Sequence, residues 1–392
     1  MLKKNRIRLT GISFLSYALT GALIIVTGLV MGKISEYYHI SLSKTSNIFT
    51  FLNAGILISI FINTWLMKLI TIKTQINLSF LLVIMSVLTL IFTNNLILFS
   101  LSIFSLGMIS GITMSIGTFL ITYLYKGNKR AALLLITDSC FSMSGMIFPI
   151  ITSTLLKNNI QWYWIYVIIS IIYGIIFLFT LTVQFPNINL KNKVINYKKK
   201  ENNKISIVLL SFAALFYILG QLGFILWIPE FSVHIIKENI TNTGILVSNF
   251  WMSYMLGMWF FSFILKFFDL HKMLISLTGI SCLLMYLFIH NTDYTYLQWI
   301  IILLGFFSSA IYTLIITLAS LQTNIPSPKN INFILTSGTT GTLLTFIVTS
   351  PIVKTYGVKG ALITANILYI MVFVLCIILI FFTKHYSNNI KK

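Results

Sequence analysis

The sequence is short of charge, and shorter still of acid. Only 9% of its 392 residues are charged, and 7 acids stand against 27 bases. Soluble domains carry roughly 25% charge, and a soluble chain this poor would lack the polar side chains to cover its surface. Lipid removes that difficulty because it solvates apolar surface. Long polar segments are lacking too. The longest, Gln184 to Lys204, is about 20 residues, far below a folded domain of roughly 50, which excludes a soluble catalytic domain. The three cysteines, Cys140, Cys282 and Cys376, each sit inside an apolar run without metal-ligand spacing, and read as small buried hydrophobes. No G-x-x-x-x-G-K-[ST] pattern occurs, so the chain is not expected to drive transport with ATP by itself. His39, His234, His271, His290 and His385 are scattered over loops and ends and pair with nothing, which leaves a lipid-modifying enzyme without its chemistry. Neither a metal nor another cofactor is expected, and the chain does not read as an enzyme.

What is abundant is apolar. Hydrophobic residues make up 57% of the chain, and the mean hydropathy is +0.94. A helix crosses ~30 Å of hydrocarbon in ~20 residues. Runs of that kind cover Gly11–Met31, Phe49–Ile70, Ile76–Phe92, Leu96–Tyr123, Ala131–Leu156 and Trp162–Val183, and then Ile205–Ile228, Gly244–Leu265, Met273–Ile289, Leu297–Ser320, Ile331–Val353 and Gly360–Thr383. The expectation is an all-α integral membrane protein with 12 transmembrane helices. They fall into an N-terminal bundle (1–183), a cytoplasmic basic linker (184–204) and a C-terminal bundle (205–392). Continuous runs exclude a β-barrel, whose strands alternate. The N-terminus resembles a signal n-region, but the run behind it reaches Val30 without an A-x-A site, as in an uncleaved first span.

The bases set the orientation. With the N-terminus inside, the inner segments hold 21 bases and the outer loops 6, which places both termini in the cytoplasm. The net charge of +20 lies in short loops between apolar runs, so its partners are lipid headgroups rather than nucleic acid.

The halves repeat weakly at an offset near 200 residues. Ser13-Phe14 returns as Ser211-Phe212, Ser46-Asn47 with Gly55 as Ser248-Asn249 with Gly257, Leu106-Gly107 with Ser110 as Leu304-Gly305 with Ser308, and Pro149-Ile150 as Pro351-Ile352. Parallel six-helix repeats joined by a long loop are the pattern of a two-bundle transporter, in which the bundles rock about a midplane site.

Several segments carry a resemblance. They are Leu9–Leu23, Phe49–Phe61 and Ser110–Leu120 in the first half, and Tyr217–Phe224, Val247–Met255 and Gly305–Thr313 in the second. In these the chain resembles the major facilitator superfamily, and within it the TsgA family of bacterial inner-membrane proteins, over nearly its whole length. The resemblance implies a major-facilitator fold and the bacterial inner membrane, and it names no substrate. In the superfamily a loop between helices two and three carries a Gly, an acid and bases. Here that region, Asn63 to Thr74, has no acid, while the second half keeps Asp269 with Lys266 and Lys272 as a candidate gating loop.

Asp138 is the acid set well inside a span, about seven residues or ~10 Å from its end. A carboxylate there costs ~2.5–3.5 kcal/mol on insertion scales, and it suits a proton carrier; a structural carboxyl bonded to hydroxyls, or one reaching Lys129 or Arg130, is the other reading. Gln221, between Gly220 and Gly223, offers two donors and an acceptor to a ligand, or an interhelical bond to the bundle. Asn53 and Asn249 read as packing glue. The resemblance implies that helices one, four, seven and ten line the cavity. On them Ser13, Ser16, Tyr17, Thr20 and Thr27 share one face, Ser110, Thr113 and Gly117 another, and Ser309, Thr313 and Thr317, with Tyr312, a third. A neutral polar cavity fits an uncharged solute; equally, such hydroxyls bond their own helix. Trp162, Trp164, Trp227 and Trp299 read as interface anchors, Glu230 as a solvated mouth residue, and the glycine pairs as close helix contacts. The functional expectation is a secondary transporter of a small solute, monomeric and possible to couple to protons. The alternative is a transport-inactive relative with a sensing or partner role.

Overall fold

The structure is a computed structural model describing residues 3–125, 127–185, 204–264, 268–320 and 328–389. Among the described residues it is wholly helical. The helices are α1 (Lys3–Tyr38), α2 (Leu42–Leu69), α3 (Ile72–Phe92), α4 (Leu96–Leu124), α5 (Gly127–Lys157), α6 (Trp164–Thr182), α7 (Lys204–Ile225), α8 (Ile228–Phe231), α9 (Ile240–Ile264), α10 (Leu270–Ile289), α11 (Tyr294–Ser308), α12 (Ile311–Ser320) and α13 (Pro328–Asn389), with a π-helical turn at Ser232–Ile236. Ten of the described helical stretches are long and apolar enough to cross a membrane. A helix is the natural answer of such runs to lipid, because it satisfies its own backbone. The longest helix, α13, holds one residue of non-helical backbone, Gly357, at φ 72°. Left-handed φ favours a residue without a side chain, and this is where the expected runs Ile331–Val353 and Gly360–Thr383 divide.

Helix ends are closed by local chemistry. Ser41 and Thr71 accept the amides of Lys44 and Thr74, and Asn95 accepts those of Ile97 and Leu98, satisfying N–H groups that a helix start leaves open. α1 and α5 finish in left-handed residues, His39 and Asn159. Beyond each, two amides turn back onto the last helical carbonyls: Ile40 to Ser35 and His39 to Glu36, Ile160 to Leu155 and Asn159 to Leu156. That is the Schellman arrangement.

The chain forms two compact units, unit 1 from residues 1–193 with 240–248 and unit 2 from residues 194–239 with 249–392. The expected linker falls mostly on residues 186–203, outside the described residues. In unit 1, α2 lies against α4 so closely that a methyl on Gly55 would meet the Phe104 carbonyl, and one on Gly107 the Leu52 carbonyl. Unit 2 has the same seam between α9 and α11, where Gly257 abuts the Phe306 carbonyl and Gly305 the Phe250 carbonyl. In lipid, helices gain association from close packing, and small residues permit it. The four glycines that marked the repeat thus serve one structural purpose in both halves.

Candidate functional site

In unit 1 the site grows from α1, α4 and α5. A side chain on Gly21 would strike the Phe141 backbone of α5, and one on Gly117 would approach Ser13 and Ser16 of α1. These contacts hold three helices together at the level of Tyr17 and Asp138. The Tyr17 hydroxyl hydrogen-bonds Thr118 of α4 at 2.8 Å, and Tyr17 lies within electrostatic reach of the Asp138 carboxyl. Asp138 is exposed although set deep among protein atoms. It forms no hydrogen bond or ion pair with the described residues.

The other polar residues expected on these helices are engaged locally. Ser110 donates to Thr20 at 2.8 Å, linking α4 to α1. Thr20 in turn donates to the Ser16 carbonyl. Ser13, Ser16 and Thr27 bond their own helix, as does Thr113, which donates to the carbonyls of Ile109 and Ser110. Tyr17 and Thr20 are therefore the cavity candidates on α1 that bond across to α4.

In unit 2 the polar centre is a set of buried tyrosines. α11 stops at Ser308 and α12 begins at Ile311, a two-residue turn inside the one apolar span Tyr294–Ala319 that matches the expected Leu297–Ser320. At this break the Tyr217 hydroxyl of α7 donates to the Ser308 carbonyl at 2.7 Å, supplying a partner where the helical ladder is interrupted. The Ser308 hydroxyl donates to Ser281. Tyr217 also meets the hydroxyls of Tyr254 and Tyr369. Tyr312 stacks parallel on Tyr217, ring centroids 6.3 Å apart, and its hydroxyl end sits against Gly338. Thr313 is half-buried, and its carbonyl accepts the Thr317 hydroxyl. Gln221, one turn beyond Tyr217 on α7, is buried, and its amide nitrogen has no hydrogen-bond partner among the described residues. A buried amide donor left open costs about 1–3 kcal/mol, so it is a place where a ligand acceptor would be received favourably.

Tyr217, Tyr254 and Tyr369 were not singled out from the sequence. The signal in the sequence is slight: each of three apolar runs holds one tyrosine, whose hydroxyl needs a partner once in lipid.

The expected gating loop is partly visible. Lys266 lies outside the described residues, and Lys272 is exposed. Asp269 caps α10, accepting the amides of His271 at 3.0 Å and Lys272 at 2.9 Å. Those backbone bonds hold its carboxyl below the usual carboxylate range.

Three expectations are corrected. Glu230 is not a solvated mouth residue: it is 5% exposed, with His234 at 3.1 Å from its carboxylate. α7 ends at Ile225, and the turn at Leu226-Trp227 folds the Glu230 segment inward as the short α8. Trp227 is not an interface anchor for the same reason. It is fully buried, and its indole N–H donates to Thr349 at 2.9 Å. Trp162 is likewise buried, ringed by Tyr37, Tyr38, Phe99, Tyr163 and Tyr166. Trp164 and Trp299 are exposed. Among the described residues no three His, Cys, Asp or Glu side chains are placed to hold a metal.

Comparison with known proteins gives this architecture a family. The model of the Major Facilitator Superfamily matches residues 12–327. A TsgA homolog of Buchnera aphidicola subsp. Acyrthosiphon pisum (strain Tuc7) is 59% identical over 391 residues, covering 100% of both chains. Protein TsgA of Escherichia coli O6:K15:H31 (strain 536 / UPEC) is 55% identical over 390 residues, covering 99% of each. Among solved structures, a mutant of the nucleoside transporter NupG superposes with a TM-score of 0.72 at 14% identity, over 96% of this chain and 98% of that one. A multi-helical membrane protein with paired glycine seams, the chain belongs to the Major Facilitator Superfamily and, within it, to the TsgA family.

Proposed function

We propose that the chain is a secondary transporter moving a small uncharged solute by alternating access, coupled to protons through Asp138. The observation that carries the coupling is the state of Asp138. It is an acid within a membrane-spanning helix, exposed and without hydrogen bond or ion pair among the described residues, beside the hydroxyl pair Tyr17–Thr118. A carboxyl in such a place is expensive to leave charged, so it binds a proton when the surroundings dry and gives it up when water enters. Tyr17 and Thr118 present hydroxyls next to it, and Gln221 and Tyr312 present an amide donor and an aromatic face in the other unit.

The solute is assigned by chemistry. The described interior faces offer hydroxyls, an open amide and tyrosine rings, and the sequence places no Arg or Lys inside a span to balance an anion. NupG is a transporter of nucleosides, which are themselves uncharged and hydroxylated; that likeness supports the class. Counting α9 as a crossing and dividing α13 at Gly357 gives twelve crossings. The 21-to-6 partition of bases supports both termini in the cytoplasm, and apolar helical spans suit the bacterial inner membrane.

The test is uptake by proteoliposomes under an imposed pH gradient, using a panel of sugars and nucleosides. The gradient is expected to drive accumulation in the wild type, and Asp138→Asn to leave uptake indifferent to it. Gradient-driven accumulation surviving in Asp138→Asn would exclude Asp138 as the coupling group. No uptake of any solute by well-folded wild type would favour a sensing role.

A further inference from the structure

The end of unit 1 that carries the start of α1 holds arginines that pair with no acid among the described residues. Between Met1 and Thr137 the sequence contains one acid, Glu36, and Lys33 already pairs with it at 2.8 Å. Glu36 lies 28 residues beyond Arg8, about 40 Å along α1 at 1.5 Å per residue. Arg6 and Arg8 are nonetheless half-buried and fixed in place. The Arg6 guanidinium lies over the Tyr125 ring, 3.9 Å from its centroid, and its Nε has no acceptor among the described residues. Arg8 reaches the last carbonyl of α6, donating to Thr182 at 3.4 Å. The seat beneath them is built. The Tyr125 hydroxyl bonds Thr10 at 2.8 Å, and Asn5 and Gln184 exchange two hydrogen bonds of 2.9 and 3.0 Å. Beside the arginines stand the exposed apolar side chains of Ile7, Tyr123 and Leu181.

We infer that this corner binds the headgroup of an anionic phospholipid. A guanidinium carries five N–H donors in a planar fork that matches phosphate oxygens. Tyr125 takes one face of the Arg6 fork, Thr182 takes one donor of Arg8, and neither guanidinium meets a carboxylate among the described residues, so the remaining donors are open to an anion from outside the chain. Phosphodiester oxygens at the headgroup level supply it, and Ile7, Tyr123 and Leu181 receive the acyl chains below. The chain continues past Tyr125 into Lys126, Lys129 and Arg130 with no acid, so the local field favours a lipid of net negative charge over a zwitterionic one.

The experiment is thermal unfolding of the purified full chain in detergent, titrated with phosphatidylglycerol, phosphatidylcholine or inorganic phosphate. Phosphatidylglycerol is expected to raise the midpoint where equal phosphatidylcholine does not, and the Arg6→Gln/Arg8→Gln double variant is expected to lose at least half of that increment. Equal stabilisation by both lipids would overturn the inference, as would a full increment in the double variant. A shift produced by phosphate alone at matched concentration would also overturn it, because the site would then read a free anion. If the double variant does not fold, Arg6→Lys/Arg8→Lys decides. It keeps the charge but not the fork, so a reduced increment supports the site and an unchanged one refutes it.

Discussion

In unit 1 the helices α1 to α6 run without interruption, α5 even through Pro149, and their buried hydroxyls mostly bond the helix they stand on. In unit 2 three spans are interrupted: α7 gives way to α8 at Leu226-Trp227, α11 to α12 at Ser309-Ala310, and α13 bends at Gly357. At the α11–α12 break the Ser308 carbonyl is met by Tyr217 of α7, and at the α7–α8 turn the Trp227 indole is held by Thr349 of α13. The difference teaches where each unit keeps its polarity. Unit 1 carries on an uninterrupted helix an acid with no hydrogen bond or ion pair among the described residues, while unit 2 uses a tyrosine hydroxyl at a broken helix and carries Gln221, whose amide nitrogen has no partner among the described residues, one turn away.

The largest effect that would sharpen this contrast lies at Asp138. Asp138→Asn should abolish the pH dependence of uptake, while Gln221→Ala should weaken solute binding and leave the pH dependence intact; an altered pH profile in Gln221→Ala would mean that the division of labour between units is wrong. Next come the seams, where the two units are alike. Gly107→Ala and Gly305→Ala should each cost about 3 kcal/mol through overpacking against backbone, read as matched losses in detergent unfolding. A large loss in one and none in the other would break the equivalence. Tyr217→Phe should cost about 2 kcal/mol by leaving the buried Ser308 carbonyl short of a donor. Tyr17→Phe, whose partner Thr118 also donates to the Met114 carbonyl, should cost less, and equal losses would show that the break in α11–α12 has no special dependence on its tyrosine. The smallest effect belongs to Asp269→Ala, about 1 kcal/mol for a lost helix cap. Because its folded carboxyl is held low, this stabilisation is present above the unfolded carboxylate pKa of about 3.9 and is lost as pH falls through the lower folded value. A wild-type chain whose acid sensitivity matched that of Asp269→Ala would contradict the cap.

The sequence reads well where lipid imposes one answer. Apolar runs become helices because nothing else satisfies their backbone, and Gly55, Gly107, Gly257 and Gly305 were visible as a repeat because close approach tolerates no other residue. It reads poorly where a helix stops inside an apolar run. No proline or glycine stands at Ser309-Ala310, so the span is legible but the turn inside it is not, and Tyr217 looks like any aromatic residue facing lipid. Glu230 and Trp227 were misplaced for a related reason. A polar residue at the end of a run reads as solvated, unless one knows that the turn before it folds the segment back into the protein. Asp138 stood out as an acid inside a span, whereas the company of Tyr17 and Thr118 depends on which faces of three helices meet.

The gap between α11 and α12 also has a mechanical side. α12 is 10 residues long, about 15 Å at 1.5 Å per residue, and it joins α11 through the two-residue turn Ser309-Ala310, where the Ser309 amide bonds Phe306 and the Ala310 carbonyl accepts Leu314. Swinging such a lever by some ten degrees carries its far tip between two and three ångströms, roughly the width of a water molecule, while the half above the joint stays still. The Tyr217 hydroxyl bonds the carbonyl at that joint, so it is one of the ties that set the angle between the two arms.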